Sequence, residues 1–289
     1  GERWCTEVHA LEYMPSMTYE TKNGFKTEHL KDDLRYKCSA VGSGKVYIGN
    51  VQYDGKSYSD KVIVSPAQKY DTFPVSRFVD YGTSGDGDEI RELLFYKKHL
   101  IIFKDKSVLI AHEDDVEAKK PKVTHALKTN GVRTKNNAVN TSKGAFWINK
   151  YGLFHFDGDK VKNLLEKEIK IEDVTVKKKR ITQQDWSSIF NKDEAYITYD
   201  AELDVVICGD NLNQDTDKNK NEFIYDMVTE SFSKYSNSMT SDAMTLPVIA
   251  FDNKPIFLAS DDTTNESYVW NNDSQEGVKE LLLITKDID

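Results

Sequence analysis

The prediction of the fold rests on the stretch Gly144–Leu164, GAFWINKYGLFHFDGDKVKNL. Aromatic and β-branched residues favour the pleated, half-buried surface of a strand, and Asn and Gly accept the positive φ of a tight hairpin. The stretch therefore predicts three antiparallel strands in one meander. Its three runs are Ala145–Ile148, Leu153–Phe156 and Lys160–Leu164, and its two turns are Asn149–Gly152 and Asp157–Asp159.

Working outward, the rest of the chain repeats this unit with other residues. Strand-like runs separated by turn residues recur on both sides, and no segment of useful length has the helical period, so the chain is predicted to be all-β. The remaining predicted strands are Leu34–Val41, Lys45–Tyr53, Lys56–Ser65, Ile90–Tyr96, Leu100–Phe103, Ser107–Ala111, Ala195–Tyr199, Val205–Cys208, Glu222–Tyr225, Ser231–Tyr235, Val248–Phe251, Ile256–Ala259, Ser267–Trp270 and Glu280–Thr285.

The spacing of the hairpins predicts a β-propeller of about five four-stranded blades. Hairpins aligned at Lys45, Arg91, Gly144, Glu194 and Pro247 give steps of 46, 53, 50 and 53 residues, and such periods are typical of propeller blades. The alternatives are six blades in a complete chain, or two β-sandwich domains. Residues 1–33 are expected to form a leading loop and residues 34–289 the propeller, with Leu34–Val41 completing the last blade beside Glu280–Thr285.

Composition bounds the class of protein. With 289 residues, 38% apolar and 11% aromatic, the chain is long and hydrophobic enough to fold around a core. No apolar run approaches 18 residues and the first residues are not a signal peptide, so we expect a soluble chain without membrane partners that begins inside a longer product. A net charge of −9 disfavours tight binding to nucleic acid, which depends on clustered Lys and Arg.

The expected core consists of alternate apolar residues on the inner strands of each unit. These are Val46 and Ile48, Leu100 and Ile102, Phe146 and Ile148, Tyr196 and Ile197, and Ile256 and Leu258. The three cysteines, Cys5, Cys38 and Cys208, are far apart and form no Cys-x-x-Cys pair, so buried free thiols are expected.

The sequence predicts no catalytic residues and no cofactor. It lacks the G-x-S-x-G nucleophile elbow, and its six histidines show no metal spacing. His155 alternates with Phe154 and Phe156 and is expected on the solvent face of its strand. The pairs Asp86/Asp88 and Asp157/Asp159 resemble glycosidase carboxylates, but aspartates are common in turns because they accept hydrogen bonds from nearby backbone. The run Lys177–Arg180 is interpreted as a solvated face.

One weak metal candidate remains, a calcium loop at Asp215, Asp217, Asn219 and Asn221. Oxygen ligands at alternate positions are typical of the first half of such a loop. Lys220 stands where an EF-hand needs glycine, and Glu222 comes seven residues after the first ligand, rather than eleven. A solvated hairpin tip is therefore the favoured interpretation.

Several segments together resemble virion proteins of tailed bacteriophages, especially marine phages. They are Lys45–Val51 (KVYIGNV), Tyr70–Pro74 (YDTFP), Tyr96–Lys104 (YKKHLIIFK), Gly144–Gly158 (GAFWINKYGLFHFDG), Phe223–Val228 (FIYDMV) and Thr285–Asp289 (TKDID). Such virion proteins are similar to the tail nozzle and head–tail stabilisation proteins of short-tailed phages, which carry β-propellers and form rings around the DNA exit channel. It covers roughly residues 35–289, in order.

The resemblance implies a structural component of a phage tail or head–tail connector, without catalysis. It implies other tail or collar proteins as partners, a homo-oligomeric ring when full length, and a location in the virion after synthesis in the host cytoplasm. Two alternatives stay open: a carbohydrate- or receptor-binding propeller, and a glycan hydrolase. Trp147, Trp186 and Trp270 occupy different positions in their units, which favours a scaffold over a lectin.

Overall fold

The computed structural model describes most of the chain between residues 35 and 284. The described residues are 35–53, 55–70, 73, 77–81, 87–116, 123–128, 130–171, 174–179, 181–190, 195–210, 220–237, 248–249, 255–260, 265–269 and 281–284. The predicted leading loop, residues 1–33, and Cys5 lie outside them. The chain divides into two compact units, residues 1–135 and 136–289.

The first unit contains two four-stranded antiparallel sheets, each with its strands in sequence order. Sheet A consists of β1 (Arg35–Gly42), β2 (Lys45–Tyr53), β3 (Lys56–Val64) and β4 (Phe78–Asp80). Sheet B consists of β5 (Ile90–Tyr96), β6 (His99–Lys104), β7 (Ser107–His112) and β8 (Val123–Lys128), with a short helix, α1 (Glu113–Val116), after β7. The unit ends at the start of a 3-10 turn, Lys135–Asn137.

The second unit begins with the sheet that the opening stretch predicts. Sheet C consists of β9 (Ala138–Asn140), β10 (Ala145–Asn149), β11 (Gly152–Phe156) and β12 (Val161–Asn163). Next comes sheet D, a two-stranded hairpin of β13 (Glu166–Ile171) and β14 (Val174–Lys179). It is followed by a helix, α2 (Gln183–Phe190). Lys177–Lys179 thus belong to a strand, paired with Glu166–Glu168 of β13.

Two further sheets complete the second unit. Sheet E consists of β15 (Ala195–Asp200), β16 (Val205–Asp210), β17 (Lys220–Asp226), β18 (Ser231–Asn237) and, beside β18, β22 (Leu281–Ile284). Sheet F consists of β19 (Val248–Ile249), β20 (Pro255–Ser260) and β21 (Asn265–Val269).

This topology is that of propeller blades, and the predicted fold class is confirmed. A blade is an antiparallel meander whose strands follow in sequence order. Sheets A, B and C have this order with four strands each, and sheet E has it before it accepts β22. The strand order contains no Greek-key crossing, so the alternative of two sandwich domains is wrong among the described strands.

Three details of the prediction are wrong. The five aligned positions are not equivalent, because Lys45 begins a second strand of a blade and Gly144 directly precedes one, whereas Arg91 lies in the first strand β5. Glu194 and Pro247 lie outside the described residues, and the strands that follow them in sequence, β15 and β19, are first strands. True second strands begin at Lys45, His99, Ala145, Val205 and Pro255. Residues 281–284, predicted to belong to the last blade, pair with β18 of sheet E and not with a strand of sheet F. Finally, α2 is a helix of eight residues.

Trp186 of α2 explains why a helix occurs in this sheet protein. Thr182 caps the helix: its hydroxyl accepts from the Asp185 amide at 3.1 Å and donates to the Asp185 carboxylate. The capped helix places the Trp186 ring in the core, where its centroid lies 5.6 Å from that of Phe223. Its indole N–H donates to the Asn149 carbonyl at 2.8 Å, which satisfies the buried polar atom.

The middle strands of the blades are buried on both faces. Leu100, Ile101, Ile102 and Phe103 are all fully buried in succession, as are Ala145 to Ile148 and Val206 to Cys208. Runs of this kind occur where a sheet is covered on each side. Of the predicted core, Ile48, Leu100, Ile102, Phe146, Ile148, Tyr196 and Ile197 are buried, Val46 is half-buried, and the side chains of Ile256 and Leu258 lie outside the described part. Cys38 and Cys208 are buried free thiols, as predicted.

Candidate functional site

The calcium-loop candidate lies mostly outside the described residues. Asp215, Asp217 and Asn219 are not described, and Asn221 lies in β17, where its backbone pairs with Ser236. In the described part of the chain, no group of three or more His, Cys, Asp and Glu side chains is arranged to hold a metal ion. Within the same residues, no helix is long and apolar enough to span a membrane.

The aspartates that resemble glycosidase carboxylates stabilise turns. Asp88 is buried, and its carboxylate accepts from the Lys106 amide at 2.7 Å and the Ser107 hydroxyl at 2.6 Å. Asp157 accepts from the amides of Asp159 and Lys160, both at 2.9 Å. The contacts of Asp157 agree with the interpretation as a turn aspartate, because both donors lie in its own turn. Asp88 instead binds the turn that precedes β7, and Asp86 lies outside the described residues.

His155 is half-buried, while the other four residues of β11 are buried, so the expected solvent face is observed in part. It pairs directly with Phe146 of β10, and the two rings stack with centroids 4.3 Å apart. One ring nitrogen, Nε2, lies 3.2 Å from the Lys143 carbonyl oxygen. Burial lowers the pKa of His155, and the hydrogen bond to the Lys143 carbonyl opposes this effect.

The most connected polar surface lies where hairpin turns of sheets C and E meet. Alternate turns of a meander lie at the same end of its sheet, so each sheet contributes two turns to one end. We define the turn face as these four turns: residues 141–144 and 157–160 of sheet C, and residues 201–204 and 227–230 of sheet E. Side-chain contacts join residues 141–144 of sheet C to both turns of sheet E.

Lys143 is the central link of the turn face. Its Nζ lies 2.8 Å from the Asp204 carboxylate and donates to the Met227 carbonyl at 2.9 Å. The Tyr199 hydroxyl donates to the same Asp204 carboxylate at 2.9 Å, and the Ser142 hydroxyl lies 3.3 Å from it. One lysine therefore joins a turn of sheet C to both turns of sheet E.

Charge and burial shift the pKa values in this cluster. The pKa of Asp204 lies below its ordinary value, first because Lys143 donates to its carboxylate, while partial burial opposes this and Tyr199 adds to it. The pKa of Tyr199 is raised, first by burial and also by the neighbouring Asp204. The cluster is thus a fixed ion pair with a neutral phenol, an arrangement that holds turns in place.

The two turns of sheet E are built alike. Asp200 accepts from the amides of Glu202 and Leu203 at 2.9 and 3.1 Å, and Asp226 accepts from the amides of Val228 and Thr229 at 2.7 and 3.1 Å. Each turn ends in a left-handed residue, Asp204 with φ 55° and Glu230 with φ 54°. The Met227 amide donates to the Asp204 carbonyl at 3.2 Å, so the turns lie against each other.

Local sequence patterns announce part of this site. An aromatic residue followed by Asp stands at the start of three of the four turns, at Phe156-Asp157, Tyr199-Asp200 and Tyr225-Asp226. The sequence reasoning noted the last of these but missed Lys143 and Asp204. These two residues are distant in sequence, and no local pattern indicates that they meet.

No family model matches the chain, and no curated protein matches it. Among solved structures, it is similar to the WD40 domain of Neurospora crassa Pan2, with 10% identity, a TM-score of 0.46, and 90% of this chain and 67% of that chain covered. It is also similar to BamB from Moraxella catarrhalis, with 8% identity, a TM-score of 0.32, and 82% of each chain covered. A third is a structure of S. cerevisiae dbp5 bound to nup159 and gle1, with 9% identity, a TM-score of 0.33, and coverage of 84% and 73%.

The blade topology described above, and not these likenesses, defines the class: a β-propeller. A propeller fold does not by itself define a function, which depends on the surfaces that the blades carry.

Proposed function

We propose that this chain is a structural component of a phage tail or head–tail connector that acts by binding other protein subunits around the DNA exit channel. The observation that carries the proposal is the ordered resemblance of its segments to phage tail proteins, from Lys45–Val51 through Gly144–Gly158 to Phe223–Val228. The protein works in the virion without turning over a substrate, and it forms a homo-oligomeric ring.

The net charge gives secondary support. At −9, the chain repels the phosphate backbone of DNA, so a wall made of such subunits does not retain the duplex during passage. The turn face has the corresponding construction for protein contact: rigid turns, exposed apolar side chains and surrounding charge.

The experiment mixes the protein with the neighbouring tail proteins of its phage and follows assembly by sedimentation and negative-stain imaging. The expected result is a co-sedimenting ring. Failure to co-assemble, together with measurable hydrolysis of a polysaccharide, would favour the glycan hydrolase. Failure to co-assemble together with saturable sugar binding would favour the carbohydrate-binding propeller.

A further inference from the structure

We propose that Leu203 and Val228, on the two turns of sheet E, form the apolar centre of a docking surface for a partner protein segment that carries Lys or Arg beside an aliphatic or aromatic side chain. This inference deepens the proposed function and rests on it for the kind of partner. The proposal follows from three properties of the turn face: its exposed apolar side chains, its rigidity and its charge.

Leu203 and Val228 are exposed apolar side chains on two turns that are hydrogen-bonded to each other. Leu203 is 44% and Val228 70% exposed, and both are among the few large hydrophobic side chains of the described residues with this exposure. They lie on turns whose backbones are joined by the hydrogen bond from the Met227 amide to the Asp204 carbonyl. Scattered single apolar side chains need no explanation, but two on directly bonded turns form a small patch.

The patch is held rigid before any partner binds. Asp200 and Asp226 each accept two amides of their own turn, and these amides include those of Leu203 and Val228. Lys143 then fixes both turns from sheet C through Asp204 and the Met227 carbonyl. A surface that is already ordered loses little conformational entropy on binding, which leaves more of the contact energy for affinity.

The charge around the patch identifies the partner. The four turns contain five carboxylates, Asp157, Asp159, Glu202, Asp204 and Glu230, against two lysines, Lys143 and Lys160. Three of these carboxylate residues, Asp159, Glu202 and Glu230, are exposed. An acidic rim around an apolar centre attracts a basic segment and fixes its register. A second copy of this chain would present the same acidic rim, so pairing of two turn faces is disfavoured.

The test measures fluorescence anisotropy of three labelled peptides of equal length on the full 289-residue chain. One peptide alternates Lys with Leu, one alternates Lys with Ser, and one alternates Glu with Leu. The protein variants are the double substitution Leu203→Ser/Val228→Ser, the charge reversal Glu202→Lys/Glu230→Lys, and the matched control Val41→Ser, which changes a side chain that is 66% exposed in the other unit.

The expected result is binding of the Lys–Leu peptide alone, with affinity that falls as salt is added. That affinity should drop about tenfold or more in each double variant, because truncation at the centre of an interface has effects of this size, and it should be unchanged in Val41→Ser. Equal binding of the Lys–Ser peptide would overturn the proposal in favour of charge alone. Equal binding by Leu203→Ser/Val228→Ser would overturn it as well.

Two further outcomes separate this inference from the proposed function. Self-association of the parent chain in sedimentation, abolished by Leu203→Ser/Val228→Ser, would overturn it in favour of a second copy as the occupant. A phage assembly that forms equally well with Leu203→Ser/Val228→Ser would overturn the docking surface and leave the proposed function standing. Peptide binding at the patch without assembly on tail proteins would overturn the proposed function and leave the docking surface standing.

Discussion

The interior of sheet C and the turn face of the same unit are stabilised in opposite ways. In the interior, Phe146 and Trp147 of β10 point to opposite faces of the sheet and are both buried. In the turn face, carboxylates bind backbone amides and one lysine joins three turns. We infer that the interior determines the stability of the unit, whereas the turn face determines the shape of a surface. Substitutions in the two regions should therefore differ greatly in cost.

The largest effect is expected for Phe146→Ala. Its ring stacks on His155 and lies 6.2 Å from Tyr225, so truncation leaves a cavity and should reduce the free energy of unfolding by about 3 to 5 kcal/mol. Chemical denaturation gives this value. The control is Tyr151→Ala in the same sheet, 41% exposed, with an expected cost of about 0.5 kcal/mol or less. Equal melting of parent and Phe146→Ala would place Phe146 on the surface.

Gly144→Ala should come next, because Gly144 lies at the border of the two regions. A Cβ atom there would lie 2.2 Å from the Phe156 carbonyl oxygen, and the φ of 157° is itself rare for other residues. We expect a loss of about 1 to 3 kcal/mol in denaturant unfolding. Gly44→Ala, with φ 70° and no atom within 4 Å, isolates the conformational part and should cost about 1 kcal/mol. Equal costs for Gly144→Ala and Gly44→Ala would contradict a close approach of the Cβ atom at residue 144 to the Phe156 carbonyl oxygen.

Glu92 of β5 extends the comparison to pH, because it is a carboxyl group in an apolar setting. Burial raises its pKa from 4.5 to about 7, against the opposing effects of the Leu93 amide and Lys135. A raised carboxyl pKa means that the folded state binds the proton more tightly, so stability should fall as the pH rises from about 4.5 to 7. In Glu92→Gln this fall should be smaller in urea unfolding. The exposed control Glu202→Gln should keep it, and an unchanged slope in Glu92→Gln would contradict the assignment.

Asp204 of the turn face should show the opposite sign. Its pKa is depressed, so its contribution to stability is present at neutral pH and is lost as the pH falls through the folded-state pKa, below 3.8. Asp204→Asn should reduce stability at pH 7 by about 1 kcal/mol, since the ion pair with Lys143 is half-exposed, and should weaken the dependence on acid. Lys143→Met is the matched variant. If either one costs as much as Phe146→Ala, the contrast between the regions is wrong.

The smallest effect is a gain in stability for Glu230→Gly. Glu230 adopts φ 54°, where glycine is free of the Cβ penalty, so the substitution should add about 0.5 to 1 kcal/mol. Asp204→Gly, at φ 55°, removes the same penalty but also the ion pair, so it should gain less than Glu230→Gly. A thermal melt of both variants checks the order, and the reverse order would contradict the role of Lys143.

Sequence reasoning predicted the hairpins well because their turns are local. Gly55, with φ 66°, and Gly152 lie in the turns that the sequence indicated, and the strands on either side pair as expected. The helix α2 carried a detectable signal as well, since Thr182 and Asp185 have the spacing of a cap. It was missed because the apolar residues around Trp186 are too few to show a helical period.

The core and the turn face could not be predicted in the same way. Predicting a core from alternating apolar residues assumes that the other face of the strand meets solvent. In β6 this assumption fails, because Leu100 and Ile102 are buried on one face and Ile101 and Phe103 are buried on the other. The first blade strand of sheet C, Ala138–Asn140, has three residues and no pattern of its own. The link between Lys143 and Asp204 depends on the packing of two blades, which is a property of the fold and not of either segment.

The most direct test of the central claim, that the chain acts by binding protein subunits through the turn face, is hydroxyl-radical footprinting in the assembled tail complex. Oxidation of Leu203 and Val228 is compared between the free chain and the complex, with the exposed Val41 as the internal reference. We expect strong protection of Leu203 and Val228 in the complex. Unchanged oxidation of both residues in a complex that has assembled would contradict it.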